Sequence, residues 1–221
     1  MRWLIALGLV AVPLTCLVPA VGFGQGSFWP SNTIGVFFDP GAWTDCSSAS
    51  PYTTVTAYLL AVDVADPNGI SGWEASLVTD PATFPAGVSI QLQNGGTNAL
   101  TAPEFDVTLP APVPRAGVIS LATWSTFYLG GVISLGLGPA HPGHFPDCPG
   151  PGYAGGADPT ERARLVVDWN VPVSDHADTY WSAGVNGAFC SVDGREKSAA
   201  GNPCQTPVRQ ESWGTIKELY R

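Results

Sequence analysis

Apolar and polar residues alternate along much of this chain with a period of two, and the alternation is clearest between Thr53 and Asp80. Within that stretch, Thr54–Val64 and Ile70–Thr79 read as two long strands rich in the β-branched and aromatic residues that suit a pleated, half-buried surface. The turn Ala65-Asp66-Pro67-Asn68-Gly69 separates them. Pro67 presets φ at the first central position, and Asn68 and Gly69 tolerate positive φ. The expected arrangement is an antiparallel hairpin. In its second strand Trp73, Ala75 and Leu77 point one way and Glu74 and Ser76 the other, which predicts one buried and one wet face.

The same reasoning places further strands at Thr33–Phe38, Val88–Gln93, Phe105–Leu109, Gly117–Thr126, Gly131–Leu137, Arg164–Trp169 and Tyr180–Phe189. Proline and glycine punctuate them, with Pro110 to Pro114 as a link and Leu129-Gly130-Gly131 as a turn. From Gly136 to Pro159 the chain is so dense in glycine and proline that no regular element fits, and so long a loop is expected to be functional or pinned. The one plausible helix is the tail. Ser212 can cap it, and Trp213, Ile216 and Tyr220 fall on one face at helical spacing. Eight or nine short strands with Pro/Gly turns predict an all-β fold, a single antiparallel β-sandwich over residues 25–221 that includes a C-terminal helix over 212–220.

Residues 1–24 fall outside that domain. Met1-Arg2 gives a positive start, Trp3 to Val12 is apolar and uncharged, and small residues follow, as in a secretory signal peptide cleaved between Gly22 and Gln25. Pro13 and Pro19 weaken a spanning helix, and Thr15 replaces the small residue that a lipoprotein signal at Cys16 would want. The mature chain is therefore expected outside the cell or at its surface, or in a periplasm, with no membrane insertion after cleavage.

Charge narrows the functional classes. Eighteen Asp and Glu stand against nine Lys and Arg, for a formal net charge of −9, and lysine is represented by Lys197 and Lys217 alone. Nucleic acid needs a basic surface, so it is excluded as a partner. An exported chain with four mature cysteines reads as two disulfides, with Cys190–Cys204 closing a local loop and Cys46–Cys148 crossing the fold as the favoured pairing. No CxxC spacing supports zinc in their place.

A family resemblance lies in the second strand of the expected hairpin. Gly69, Ile70, Gly72, Glu74, Leu77, Asp80 and Pro81, with Phe84 in the following apolar place, resemble the pattern of the cohesin-type β-sandwich, although Thr79 stands where that family has tyrosine. Carbohydrate-binding sandwich modules share the architecture. The chain also resembles a set of exported bacterial proteins with an IGVFFD-like opening strand, a GISGWE-like segment and a tail like SWGTIKELYR. The resemblance implies a sandwich fold and export, and it transfers no binding residue.

Candidate chemistry is sparse. His141 and His144 with Asp147 are the densest group of possible metal ligands, but they fall in a Gly/Pro loop, and the simpler reading is solvated loop histidines with no metal. Ser174, Asp175, His176 and Asp178 offer hydrolase-type or calcium-type groups, but no G-x-S-x-G accompanies them. A calcium loop over Asp63–Gly69 fails because Val64 and Ala75 would occupy ligand positions. Trp29, Trp43 and Trp181 are the candidates for stacking on a glycan, whereas Trp73 and Trp169 read as core. The leading expectation is an exported, non-catalytic interaction or structural module without a cofactor, whose partner is a protein or glycan at the cell surface. A carbohydrate-binding module is the first alternative and a metal-dependent or serine hydrolase the second.

Overall fold

The computed structural model describes residues 31–80, 88–145, 149–167 and 179–186. In chain order the strands are β1 (Thr33–Phe37), β2 (Cys46–Ser47), β3 (Thr53–Val62), β4 (Ile70–Asp80), β5 (Ser89–Leu92), β6 (Thr97–Asn98) and β7 (Glu104–Val113). They continue as β8 (Val118–Tyr128), β9 (Ile133–Gly138), β10 (Gly152–Gly155), β11 (Arg162–Arg164), β12 (Val166–Val167) and β13 (Tyr180–Val185). The expected C-terminal helix lies outside the described residues.

These strands form a two-sheet sandwich. One sheet has the order β12-β1-β3-β8-β5; the other runs β11-β10-β4-β9-β13-β2, with β7 also on β4 and β6 on β7. Most pairs are antiparallel, but β1–β12 and β2–β13 are parallel, so both sheets are mixed. Ile34, Val36, Ala57, Leu121 and Trp124 from the first sheet meet Trp73, Leu77, Phe105, Leu135 and Leu137 from the second in one core. Trp73 and Phe105 rings lie 5.5 Å apart at 32° within it. Burial of such side chains contributes about 1.5–3 kcal/mol each and is the main drive for the two sheets to close.

The strands flanking the Ala65–Gly69 turn are where they were expected, but they do not form a hairpin. β3 pairs with β1 and β8, while β4 pairs with β10, β7 and β9. The turn carries the chain from one sheet to the other. Val64, fully buried, enters the core here, and Asp63 sits at a φ of 49° to redirect the backbone. Asp66 then shapes the turn, its Oδ1 accepting Asn68 N–H and its carbonyl accepting Gly69 N–H. Gly69 has φ +81°, and a Cβ there would lie 1.9 Å from the Val113 carbonyl oxygen, so both backbone and space demand glycine. The step from β8 to β9 through Leu129–Val132 likewise changes sheets.

Two other expectations need correction. β7 extends through Pro110 and Pro112, which were expected in a linker. The expected strand Arg164–Trp169 is split: β11 ends at Arg164 in the second sheet and β12 begins at Val166 in the first, with fully buried Leu165 at the crossing. A strand cannot belong to both faces of a sandwich, so the chain breaks where Leu165 turns into the core.

A bulge in β13 ties the sheets together from the other side. The register against β9 shifts between Trp181 and Ala183, and Ser182 in the bulge accepts the backbone N–H of Val36 at 2.7 Å in a fully buried position.

Candidate site under the 139–151 loop

β4 is buried on both faces, which the alternation did not foretell. Glu74 and Ser76 were expected in water; Glu74 has no exposed surface and Ser76 is also buried. The register of the neighbouring strands gives the reason. On one side of β4, Ser76 pairs with Gly138 at the end of β9, and Glu74 pairs with Gly152 at the start of β10. β9 and β10 therefore form a single strand line along β4, and residues 139–151 are an excursion between two consecutive rungs of that line. Within it, His144 folds back over the face carrying Glu74. The Gly136–Pro159 region thus contains regular structure, contrary to expectation, and its irregular part is pinned.

The pins are identifiable. His144 donates its backbone N–H to Glu74 Oε1 and Oε2 at 3.1 and 3.2 Å, and its Nδ1 is hydrogen-bonded to Glu74 Oε2. His141 donates its backbone N–H to Glu104 Oε2 at 3.0 Å, and its Nδ1 lies 3.4 Å from Glu104 Oε1. At the far base, Arg164 donates to the Pro149 carbonyl at 2.7 Å, and its guanidinium lies 5.4 Å from the centre of the Phe145 ring. Gly152 makes this packing possible, since a Cβ there would lie 2.2 Å from Phe145 Cε2. Backbone donors and two imidazole rings thus give hydrogen-bond partners to carboxylates that would otherwise be desolvated without compensation.

On the other side of β4, Glu74 is the direct cross-strand partner of Asp106 on β7, and Ser76 that of Glu104. One carboxylate oxygen of Glu74, one of Asp106 and a ring nitrogen of His144 all lie within 4.8 Å of one another. Two carboxylates and an imidazole are a donor set suited to a divalent cation. Residues on either side of His144 line a separate concave space of about 260 Å³, formed by Pro139, Ala140, His141, Gly143, Phe145, Pro149 and Gly150.

The structure separates the residues singled out in the sequence. His141 and His144 do not share a site: His141 turns to Glu104 and His144 to Glu74. Asp147 lies outside the described residues, as do Trp29, Trp169 and the Ser174–Asp178 group. Trp181 is buried, which removes it as a glycan platform; Trp43 is 64% exposed and retains that potential. Cys46 opens β2, whereas Cys148, Cys190 and Cys204 lie outside the described residues. The partners that give the histidines meaning, Glu74, Glu104 and Asp106, went unrecognised in the sequence. Glu74 and His144 are 70 residues apart, and no local spacing signals such a contact.

Asp66 does not form a calcium loop. Both its carboxylate oxygens accept backbone N–H groups, Oδ1 from Asn68 and Oδ2 from Gly156, so they serve the turn and the end of β10. Tyr153, beside it, donates its hydroxyl to Asn32 Oδ1 at 3.1 Å, and burial pushes its phenol above the ordinary value.

No family model matches the chain, and no curated protein matches it. Among solved structures the chain is similar to the sixth cohesin of Acetivibrio cellulolyticus scaffoldin B, determined in complex with a mutant Cel5 dockerin. The TM-score is 0.40 at 12% identity, covering 62% of this chain and 94% of that one. The resemblance to exported proteins with a similar tail finds no support in these comparisons.

Proposed function

We propose that the protein is an exported, non-catalytic β-sandwich that acts as an interaction module, and that it meets a protein partner through the 139–151 loop. The observation that carries this reading is the pinning of that loop. The described residues of this excursion, 139–145 and 149–151, are held by Glu74, Glu104 and Arg164 before binding, and preorganisation reduces the ordering cost that otherwise weakens an interface. The concave space with Phe145 and His141 at its wall suits one apolar side chain of the partner. Glu104 beside it, in a chain of net charge −9, favours a partner whose contacting surface is neutral or basic.

The test begins with a photo-crosslinking residue at position 141, and at position 91 on β5 as a control, in the exporting organism. One protein species should be captured from position 141 alone. That species, purified, should bind the wild-type module in calorimetry and lose at least tenfold in affinity against Phe145→Ala. Equal capture from both positions, or unchanged affinity for the variant, would overturn the reading.

A further inference from the structure

We infer that Glu74, Asp106 and His144 form a binding site for one first-row divalent cation, of which zinc is the natural probe. The register places Glu74 and Asp106 directly opposite each other on β4 and β7. Like charges in that relation repel, and Glu74 is fully buried, so its carboxylate cannot be relieved by water. The loop then brings a ring nitrogen of His144 to the same point, leaving the three donor atoms within 4.8 Å of one another. Around a zinc ion, with bonds of about 2.0–2.2 Å, donors stand about 3.4 Å apart in a tetrahedral site. Side-chain rotations of ordinary size close that difference. The mixed donor set favours a first-row metal over calcium, which takes six to eight oxygen ligands.

The placement of the three groups also suits an ion held with an open position. Glu74 comes from the rigid centre of the sheet, while the His144 side chain is 42% exposed at the mouth of the site. Three protein donors leave a fourth place facing solvent, where water or a partner's carboxylate can bind. Bound metal would take the place of the hydrogen bond between His144 Nδ1 and Glu74 Oε2 and would fasten His144 to β4 and β7 together. The site lies beneath the surface proposed to meet a partner, but it rests on its own geometry. Loss of metal binding and loss of partner binding are separate readouts.

The experiment uses the mature full chain, without a histidine tag, stripped with a chelator and titrated with zinc, manganese and calcium in separate calorimetric runs. The chain has three histidines, so the assignment is tractable. Zinc should bind with a stoichiometry of one, at micromolar affinity or tighter, and raise the thermal midpoint. His144→Gln should weaken binding at least tenfold and abolish the thermal shift, Asp106→Asn should do the same, and His176→Gln should match wild type. Because His144 is partly exposed, its variant tests the site independently of Asp106→Asn. Absence of zinc and manganese binding, a response to calcium alone, undiminished affinity in His144→Gln, or an equal loss in His176→Gln would each overturn the proposal.

Discussion

Glu74 and Asp106 stand as direct partners across β4 and β7, one carboxylate fully buried and the other beside it. Placing two acids opposite each other costs stability unless something positive lies between them. In the metal-free protein the offsetting contacts are the hydrogen bonds of Glu74 to the His144 backbone N–H and to its Nδ1. In chelator-treated protein, Glu74→Gln should therefore destabilise the fold by about 1–3 kcal/mol, through loss of a charge-assisted acceptor. Asp106→Asn should be neutral or stabilising by up to about 1 kcal/mol. Urea unfolding of both variants checks the pair; destabilisation by Asp106→Asn as large as that by Glu74→Gln would contradict the assignment of roles.

Ser182 Oγ holds Val36 N–H across the two sheets at 2.7 Å. Ser182→Ala leaves that donor buried without its acceptor, at a cost of about 1–3 kcal/mol. The corresponding drop should appear in the denaturant midpoint with an unchanged slope. A midpoint equal to wild type would show that the bulge does not join the sheets energetically.

Arg164 should control how tightly the loop lies on the sheet. Arg164→Met keeps an apolar stem but removes the donation to Pro149 and the cationic contact with Phe145. Hydrogen exchange at the His144 and Phe145 amides should become several times faster while exchange in β3 and β8 stays as in wild type. Unchanged exchange at those amides would mean that Glu74 and Glu104 suffice to hold the loop.

Tyr153 should set part of the alkaline limit. Burial, the largest cause, raises its folded pKa above the ordinary 10.0. The negative charge of Asp66 raises it further, while a hydrogen bond to the Asp66 backbone and the charge of Arg115 lower it. With the folded value above the unfolded one, the contribution is complete below about pH 10 and lost as pH rises through the folded value. Tyr153→Phe should lose about 1 kcal/mol at pH 7 with the Asn32 hydrogen bond. Its stability should then fall less steeply than wild type above pH 10. Unfolding midpoints measured from pH 7 to 11 check this, and parallel curves for the two proteins would contradict it.

Strand positions were legible in the sequence because the side-chain alternation that defines them is local. β1, β3, β4, β5, β8, β9 and the start of β13 fall where apolar residues alternate, and the Asp66–Gly69 turn forms from residues that suit its backbone. Pairing was not legible. β3 and β4 have the pattern of a hairpin, and an apolar stripe on each satisfies a hairpin and a sheet-crossing turn equally well. Val64 and the buried core facing both sheets decide between them.

The sequence by itself determined that this chain is an acidic β-sandwich with strands in definite places and a Gly/Pro-rich stretch that needed an anchor. It also marked His141 and His144 as the residues in that stretch with chemistry to offer. Only the tertiary structure decided what they do. Alternation assigns Glu74 to the face away from the core, but whether that face meets water depends on a loop 70 residues away. That loop covers Glu74 because β9 and β10 lie end to end on β4, and Asp106 joins the group because β7 pairs on the other side. Each of these is a matter of register between distant strands, set by the packing of both sheets at once.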